Sequence, residues 1–307
     1  MGRVSSVSTA VQASGPEQAF QVDDRAIEGP HGPLRVRVYR PEEPAAPGLV
    51  WLHGGGFFAG DLDMPEGDWV GREFARRGIT VVSVDYRLAP TPEELASPPE
   101  KPATTEGVRY PVPVDEVVFA FRWAVESGLV DGPWALGGAS AGGNIAAGST
   151  LRLVHEGGPV PALAVLAYPT LLAVQPHPDA DLRAALDADP DADRFGPGAV
   201  SRMYQNYLGA PLDAAPADDL PVYAVPGTAT TEQLKSFPPV IMINGEIDEL
   251  RVSGEAFAAS LRAAGVEIDV STEPGTGHGH LNRPEEAAAS ASLERFAARI
   301  LALKTSD

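Results

Sequence analysis

Ser140 lies in the run Gly138-Ala139-Ser140-Ala141-Gly142-Gly143-Asn144, and 87 residues earlier the chain reads His53-Gly54-Gly55-Gly56-Phe57. A serine on a sharp turn between a strand and a helix presents its hydroxyl for attack on a carbonyl carbon. A glycine turn offers backbone N–H groups that hold the oxyanion created by such an attack. Together the two segments point to acyl transfer. With 32 glycines in 307 residues, a lone G-x-S-x-G match means little, so its flanks decide. Trp134-Ala135-Leu136 reads as a strand running into the glycines. Ile145, Ala146, Ala147, Leu151, Leu153 and Val154 then recur at near-helical spacing until Gly157-Gly158-Pro159 stops them. The His-Gly-Gly-Gly run follows the apolar Leu49–Leu52 and would by itself be an ordinary turn.

A serine hydroxyl needs a base, and the base needs an orienting acid. The apolar run Val240–Asn244 ends in Gly245-Glu246-Ile247-Asp248-Glu249, which puts carboxylates just past the end of a strand, where α/β sheets place their chemistry. A further strand, Val266–Thr272, runs into Pro274-Gly275-Thr276-Gly277-His278-Gly279-His280. By position alone, Glu246, Asp248 and Glu249 compete as the acid, and His278 and His280 as the base. His278-x-His280 also has the form of a metal pair, without an evident third ligand. His31, His155 and His177 have no supporting context and read as solvent-facing.

At this point the chain resembles the hormone-sensitive-lipase-like branch of the α/β-hydrolases, which includes many small bacterial carboxylesterases. His53-Gly54-Gly55-Gly56-Phe57 matches that branch's oxyanion motif, and Asp85-Tyr86-Arg87-Leu88-Ala89-Pro90 its structural motif after the next strand. Ser140-Ala141-Gly142-Gly143-Asn144 matches the elbow, and Asp248 with Leu250-Arg251, and His278-Gly279, the remaining positions. The resemblance spans residues from about Val22 to the C-terminus, with a gap between about 171 and 236. It implies Ser140 as nucleophile, His278 as base, Asp248 as its partner, and the N–H groups of Gly55, Gly56 and Ala141 as the oxyanion hole. No metal or organic cofactor is implied. His53, Asp85 and Arg87 would brace the oxyanion loop, although Asp85 and Arg87 could each equally form a surface ion pair, and His280 would be a pocket residue or a support behind the triad.

The chain departs from the family in carrying Ala139 where Asp is frequent, Glu249 where Pro is frequent and His280 where Phe is usual. It also has a long Pro/Glu/Thr-rich stretch over Thr91–Arg109. These departures bear on substrate range rather than on reaction type. An amidase, a lactonase or a carbohydrate deacetylase would use the same residues. A non-catalytic ligand receptor of this fold would be expected to lack one of the three catalytic side chains.

The elements that must position these groups alternate. Strands are expected over Leu34–Tyr39, Leu49–Leu52, Thr80–Val84, Trp134–Leu136, Ala162–Ala167, Val240–Asn244 and Val266–Thr272. Helices are expected over Val114–Ser127, after Ser140, over Val252–Ala264 and over Pro284–Leu303. Such alternation predicts an α/β fold, a mostly parallel central sheet with helices on both faces. The Phe20–Tyr39 region, broken at Gly29-Pro30-His31-Gly32, reads as an antiparallel hairpin. Residues 19–170 and 237–307 would form the catalytic α/β-hydrolase domain, and residues 1–18 and 171–236 a cap over the sheet's C-terminal edge. In the cap, Gly198–Leu208 is amphipathic, and Met203, Tyr204 and Tyr207, with Phe57 and His280, are candidates to line the substrate pocket. The three cap residues could instead simply anchor their helix.

Composition narrows the partners. The net charge of −19 repels nucleic acid and anionic membrane surfaces. Six aspartates between Asp179 and Asp193 read as a solvated acidic loop, since no Gly-punctuated calcium loop with a closing Glu is present. The chain has no cysteine, which removes disulfides and thiolate chemistry. No stretch has the length and apolarity of a membrane span, and a cytoplasmic monomer or homodimer acting on a small-molecule ester is the expected setting.

Overall fold

The computed structural model describes residues 20–96, 103–192, 194–214 and 219–304. The expected cap contribution of residues 1–18, Ser97–Pro102 of the Pro/Glu/Thr-rich stretch, and Asp193 lie outside the described residues. Eight strands form one sheet: β1 (Phe20–Gly29), β2 (Gly32–Pro41), β3 (Gly48–Leu52), β4 (Thr80–Val84), β5 (Trp134–Ala139), β6 (Leu163–Ala167), β7 (Val240–Ile247) and β8 (Ile268–Gly277). Their spatial order is β1-β2-β4-β3-β5-β6-β7-β8. β1 and β2 form the hairpin expected at Pro30-His31, and β2 also runs antiparallel to β4; every later pairing is parallel.

The helices are α1 (Asp68–Arg76), α2 (Val112–Glu126), α3 (Ala141–Glu156), α4 (Ala180–Ala188), α5 (Pro197–Leu208), the single turn α6 (Thr231–Leu234), α7 (Arg251–Ala263) and α8 (Ala287–Leu301). Strand residues alternate between the two sides of the sheet. Val50, Leu52, Leu136, Leu166 and Met242 pack with Val117 and Phe121 of α2, Ile145 and Leu151 of α3, and Phe257 and Leu261 of α7. Leu49, Trp51, Ala135, Val165, Ile241 and Ile243 pack with Val70 and Phe74 of α1 and Leu293, Phe296 and Ile300 of α8. With both faces covered, the central strands are apolar throughout rather than alternating. β3, β4, β5 and β6 are buried at every residue.

The segment between β6 and β7 carries α4, α5 and α6. It approaches the sheet's helices closely. At Gly148 of α3, an added Cβ would stand 1.9 Å from the Tyr223 carbonyl oxygen, so the chain can cross there only over a glycine. Half of the expected acidic loop is the helix α4. Asp179 caps it by accepting the Leu182 N–H at 2.8 Å, and Asp187 pairs with Arg183 one turn earlier. Among the described residues no helix is long and apolar enough to cross a membrane.

Candidate active site

Parallel pairing brings the ends of β3, β5, β6, β7 and β8 to one edge. Leu52 is registered against Gly138, Ala139 against Ala167, and Ile247 against Gly277 after a register shift between Gly245 and Ile247. His53, Ser140, Tyr168, Asp248 and His278 are each the residue that follows one of these strands, so the sheet itself gathers them.

Ser140 turns the chain from β5 into α3 with φ 53° and ψ −118°, left-handed backbone that a non-glycine residue adopts only under constraint. Its N–H donates to the Ala167 carbonyl at 2.9 Å, and its own carbonyl accepts from Asn144 at 3.1 Å. The glycine at 142 is required by contact: a Cβ there would lie 2.2 Å from the His53 carbonyl oxygen. The G-x-S-x-G spacing is therefore the imprint of α3 and the β3 end approaching each other closely.

His278 bridges the other two groups. Its Nε2 lies 2.8 Å from Ser140 Oγ and its Nδ1 2.8 Å from Asp248 Oδ2. Asp248 is fully buried, and its second oxygen accepts the Leu250 N–H at 2.9 Å. Burial alone would disfavour the imidazolium. The Asp248 charge and hydrogen bond outweigh it, Glu66 adds to them, and the His278 pKa is raised above its ordinary value. The rival acids point elsewhere: Glu246 accepts the Gly275 N–H at 2.7 Å and Glu249 the Phe195 N–H at 2.6 Å.

The loop after β3 runs through three successive positive φ values, 116° at Gly55, 62° at Gly56 and 73° at Phe57. A Cβ on Gly55 would stand 2.0 Å from the Ala59 carbonyl oxygen. Among the described residues no acceptor takes the N–H of Gly55, Gly56 or Ala141. His53 braces the loop as expected, whereas Arg87 and Asp85 bond partners outside it. His53 Nδ1 bonds the Gly54 carbonyl at 2.7 Å, and its ring stacks on Tyr86 at 4.6 Å. Tyr86 donates to the His53 carbonyl at 2.7 Å. Arg87 is ion-paired with the fully buried Glu116, which also accepts the Arg87 N–H at 2.8 Å. Asp85 faces Arg35 at 3.7 Å instead of the loop.

Four of the pocket candidates are placed differently from the expectation. Phe57, Tyr204 and Tyr207 are buried, and Phe57 stacks on Tyr207 with centroids 4.1 Å apart and 6° between planes. The Tyr204 hydroxyl donates to the Thr170 carbonyl at 2.9 Å and accepts from Asn144 at 2.7 Å. These rings anchor α5 to the elbow, the alternative the sequence left open. His280 takes the other placement left open, a support behind the triad: it is fully buried, Nε2 lies 2.9 Å from Ser292 Oγ on α8, and its ring is edge-on to Tyr168, which also meets His278. Tyr204 and Tyr207 meet the oxyanion loop at Phe57, and Met203 meets it at Gly56, its Sδ 3.1 Å from where a Cβ on Gly56 would be. Of the remaining histidines, His31 bonds Asp115 and His155 bonds Tyr223 and the Gln233 carbonyl, all at the surface.

Sequence reading missed Glu66, Tyr168 and Phe195. Glu66 is buried, and its two oxygens accept from Gly54 N–H and the Tyr168 hydroxyl, each at 2.8 Å. Burial raises its pKa, and the bonds from Tyr168 and Gly54 and the nearby His278 oppose this. Tyr168, at φ 34°, lies edge-on to both His278 and His280. Only its place straight after a strand and before Pro169 could have marked it.

A family described as alpha/beta hydrolase fold matches residues 49–97 and 106–282. The chain belongs to the α/β-hydrolase family. Within it, this α/β-hydrolase is of the hormone-sensitive-lipase-like, bacterial carboxylesterase type. It is 35% identical over 270 residues to the esterase LipI of Mycobacterium tuberculosis, an alignment spanning 85% of this chain and 75% of LipI. It is 34% identical over 256 residues to the carboxylesterase NlhH of the same organism, covering 81% and 72%. The solved structure of an esterase from Pyrobaculum calidifontis superposes with a TM-score of 0.74 at 31% identity, covering 92% of this chain and 85% of that one.

Proposed function

We propose that this α/β-hydrolase is a carboxylesterase that cleaves esters of small to medium acyl chains through an acyl-enzyme. The observation that carries the reading is the continuous hydrogen-bonded chain Asp248–His278–Ser140 beside three N–H groups with no acceptor among the described residues. Ser140 Oγ attacks the ester carbonyl as His278 Nε2 takes its proton, while Asp248 fixes the imidazole with Nδ1–H toward itself and stabilises the imidazolium. The N–H groups of Gly55, Gly56 and Ala141 hold the oxyanion, each donor being worth about 3 kcal/mol of barrier. His278 then returns the proton to the departing alkoxide, and water repeats the sequence on the acyl-serine. Residues 171–236 serve as the cap, with Met203 closing the oxyanion side. The names of the curated relatives, esterase and carboxylesterase, support ester over amide. A cytoplasmic monomer or homodimer belongs to the same reading; the charge of −19 favours solubility in either state.

The test is hydrolysis of p-nitrophenyl esters from acetate to dodecanoate by wild type and Ser140→Ala. Turnover peaking at short chains and absent from the folded variant is expected. Turnover retained by the variant refutes Ser140 as nucleophile.

A further inference from the structure

Two residues from between α4 and α5, Ala192 and Phe195, lie against the histidine loop. Ala192 Cβ lies 3.9 Å from where a Cβ on Gly277 would stand. Three residues on, the half-buried Phe195 sets its ring edge-on to the His278 imidazole, centroids 4.5 Å apart and planes at 60°. What seats Phe195 is a carboxylate. Its N–H donates to Glu249 Oε2 at 2.6 Å, and Glu249 Oε1 lies 3.6 Å from the Cβ position of Gly196, the residue that opens α5. Glu249 is buried and directly follows Asp248. The residue next to the triad acid thus ties the cap segment to the triad histidine.

This tether has a chemical consequence if Ser140 and His278 act as proposed above, on which the inference rests. As the tetrahedral intermediate collapses, the bond between acyl carbon and alcohol oxygen breaks, and the proton on His278 Nε2 passes to that oxygen, leaving neutral imidazole and acyl-Ser140. The alcohol oxygen must then lie within hydrogen-bond reach of Nε2. The carbonyl oxygen is drawn to Gly55, Gly56 and Ala141, and the acyl chain takes the remaining direction. The first carbons of the alcohol lie on the imidazole side, where Phe195 stands. We infer that Phe195 forms the wall of the alcohol subsite, that Glu249 positions it, and that the subsite favours flat apolar alcohols such as benzyl.

The experiment measures kcat/KM on methyl, butyl and benzyl acetates and, with the alcohol fixed, on ethyl acetate through ethyl octanoate. Phe195→Ala is expected to lower the benzyl-to-methyl ratio about five- to tenfold, the range of one lost aromatic contact, while the shape of the ethyl-ester profile stays. Phe195→Leu keeps the apolar volume and guards against misfolding; it should also lose the benzyl preference. Glu249→Ala should move the ratio the same way, and Glu249→Gln should restore it, because the amide oxygen still accepts the Phe195 N–H. An unchanged ratio in both Phe195 variants, or a change in the acyl profile instead, overturns the inference. Failure of wild type to cleave any of these esters, or cleavage by Ser140→Ala, overturns the esterase reading itself and is seen separately.

Discussion

His280 is a neutral base enclosed where a proton is unwelcome. Ser292 Oγ donates to Glu273 Oε2 at 2.7 Å, so it accepts from His280, which assigns the proton to Nε2 and leaves Nδ1 bare. Burial, then Arg283 and His278, push the His280 pKa down to about 4, against 6.5 when unconstrained. The sign follows from linkage. Above pH 6.5 both folded and unfolded chains hold a neutral imidazole, and stability is complete. As the pH falls from 6.5 toward 4, the unfolded chain binds a proton that the native state refuses, and stability drains away; below 4 both are charged and the loss stops. The displacement is worth about 3 kcal/mol in full, roughly 2 of it by pH 5. Replacing His280 with Gln removes the titration yet leaves an amide N–H near the Nε2 position to serve Ser292. Urea unfolding of both proteins at pH 7, 6, 5 and 4.5 measures the effect, since other titrating groups cancel in the difference. The wild type should lose about 2 kcal/mol relative to His280→Gln between pH 7 and 5. A difference constant with pH would show that His280 is not held neutral and that the buried network has been misread.

Two further outcomes test the site. Because His278 must be neutral to accept the Ser140 proton and its pKa is raised, kcat/KM should fall on the acid side with a midpoint above 6.5. Asp248→Asn should move that midpoint down, because burial is then opposed by Glu66 without the larger Asp248 charge and hydrogen bond, and cut kcat by about 10⁴; a wild-type midpoint below 6.5 contradicts the arrangement. Ser140→Gly should abolish turnover and still unfold at higher urea, by about 1 kcal/mol, since glycine accepts φ 53° without strain; a less stable variant would mean that the elbow is not strained.

Much of this was legible because the chemistry forces local signatures. Gly142 must lack a Cβ where α3 meets the His53 carbonyl, and Gly55 where the loop folds back on Ala59, so close backbone approach was written into the sequence as glycine. The parallel strands announced themselves as short apolar runs because helices cover both faces. β5, β7 and β8 run past their expected ends through Gly137-Gly138-Ala139, Gly245-Glu246-Ile247 and Glu273–Gly277, stretches without an apolar run that join the sheet through backbone pairing. α1 was missed because Val70, Gly71, Phe74 and Ala75 form its whole buried stripe, too little for a periodic signal. His280 looked functional by being a histidine two residues from another. The chain turns through Gly279 at φ 74° between them, which sends the two imidazoles to different partners. Glu66, Tyr168 and Phe195 carry no motif. They matter through contacts separated by tens of residues, and a linear reading has no access to those.

The candidate site draws one group from each of four strand ends, with Gly55 and His278 more than 220 residues apart. Each parallel neighbour can be added only after an intervening crossover has docked. Enzymatic activity is thus a reporter of complete assembly. During refolding, ester cleavage should return no earlier than the last of the strand pairings, β7 with β8, while Trp51 and Trp134, buried in the sheet's centre, signal collapse sooner. A nick or a stalled chain that ends before His278 leaves a nucleophile without its base, so partly made copies of this hydrolase stay chemically silent.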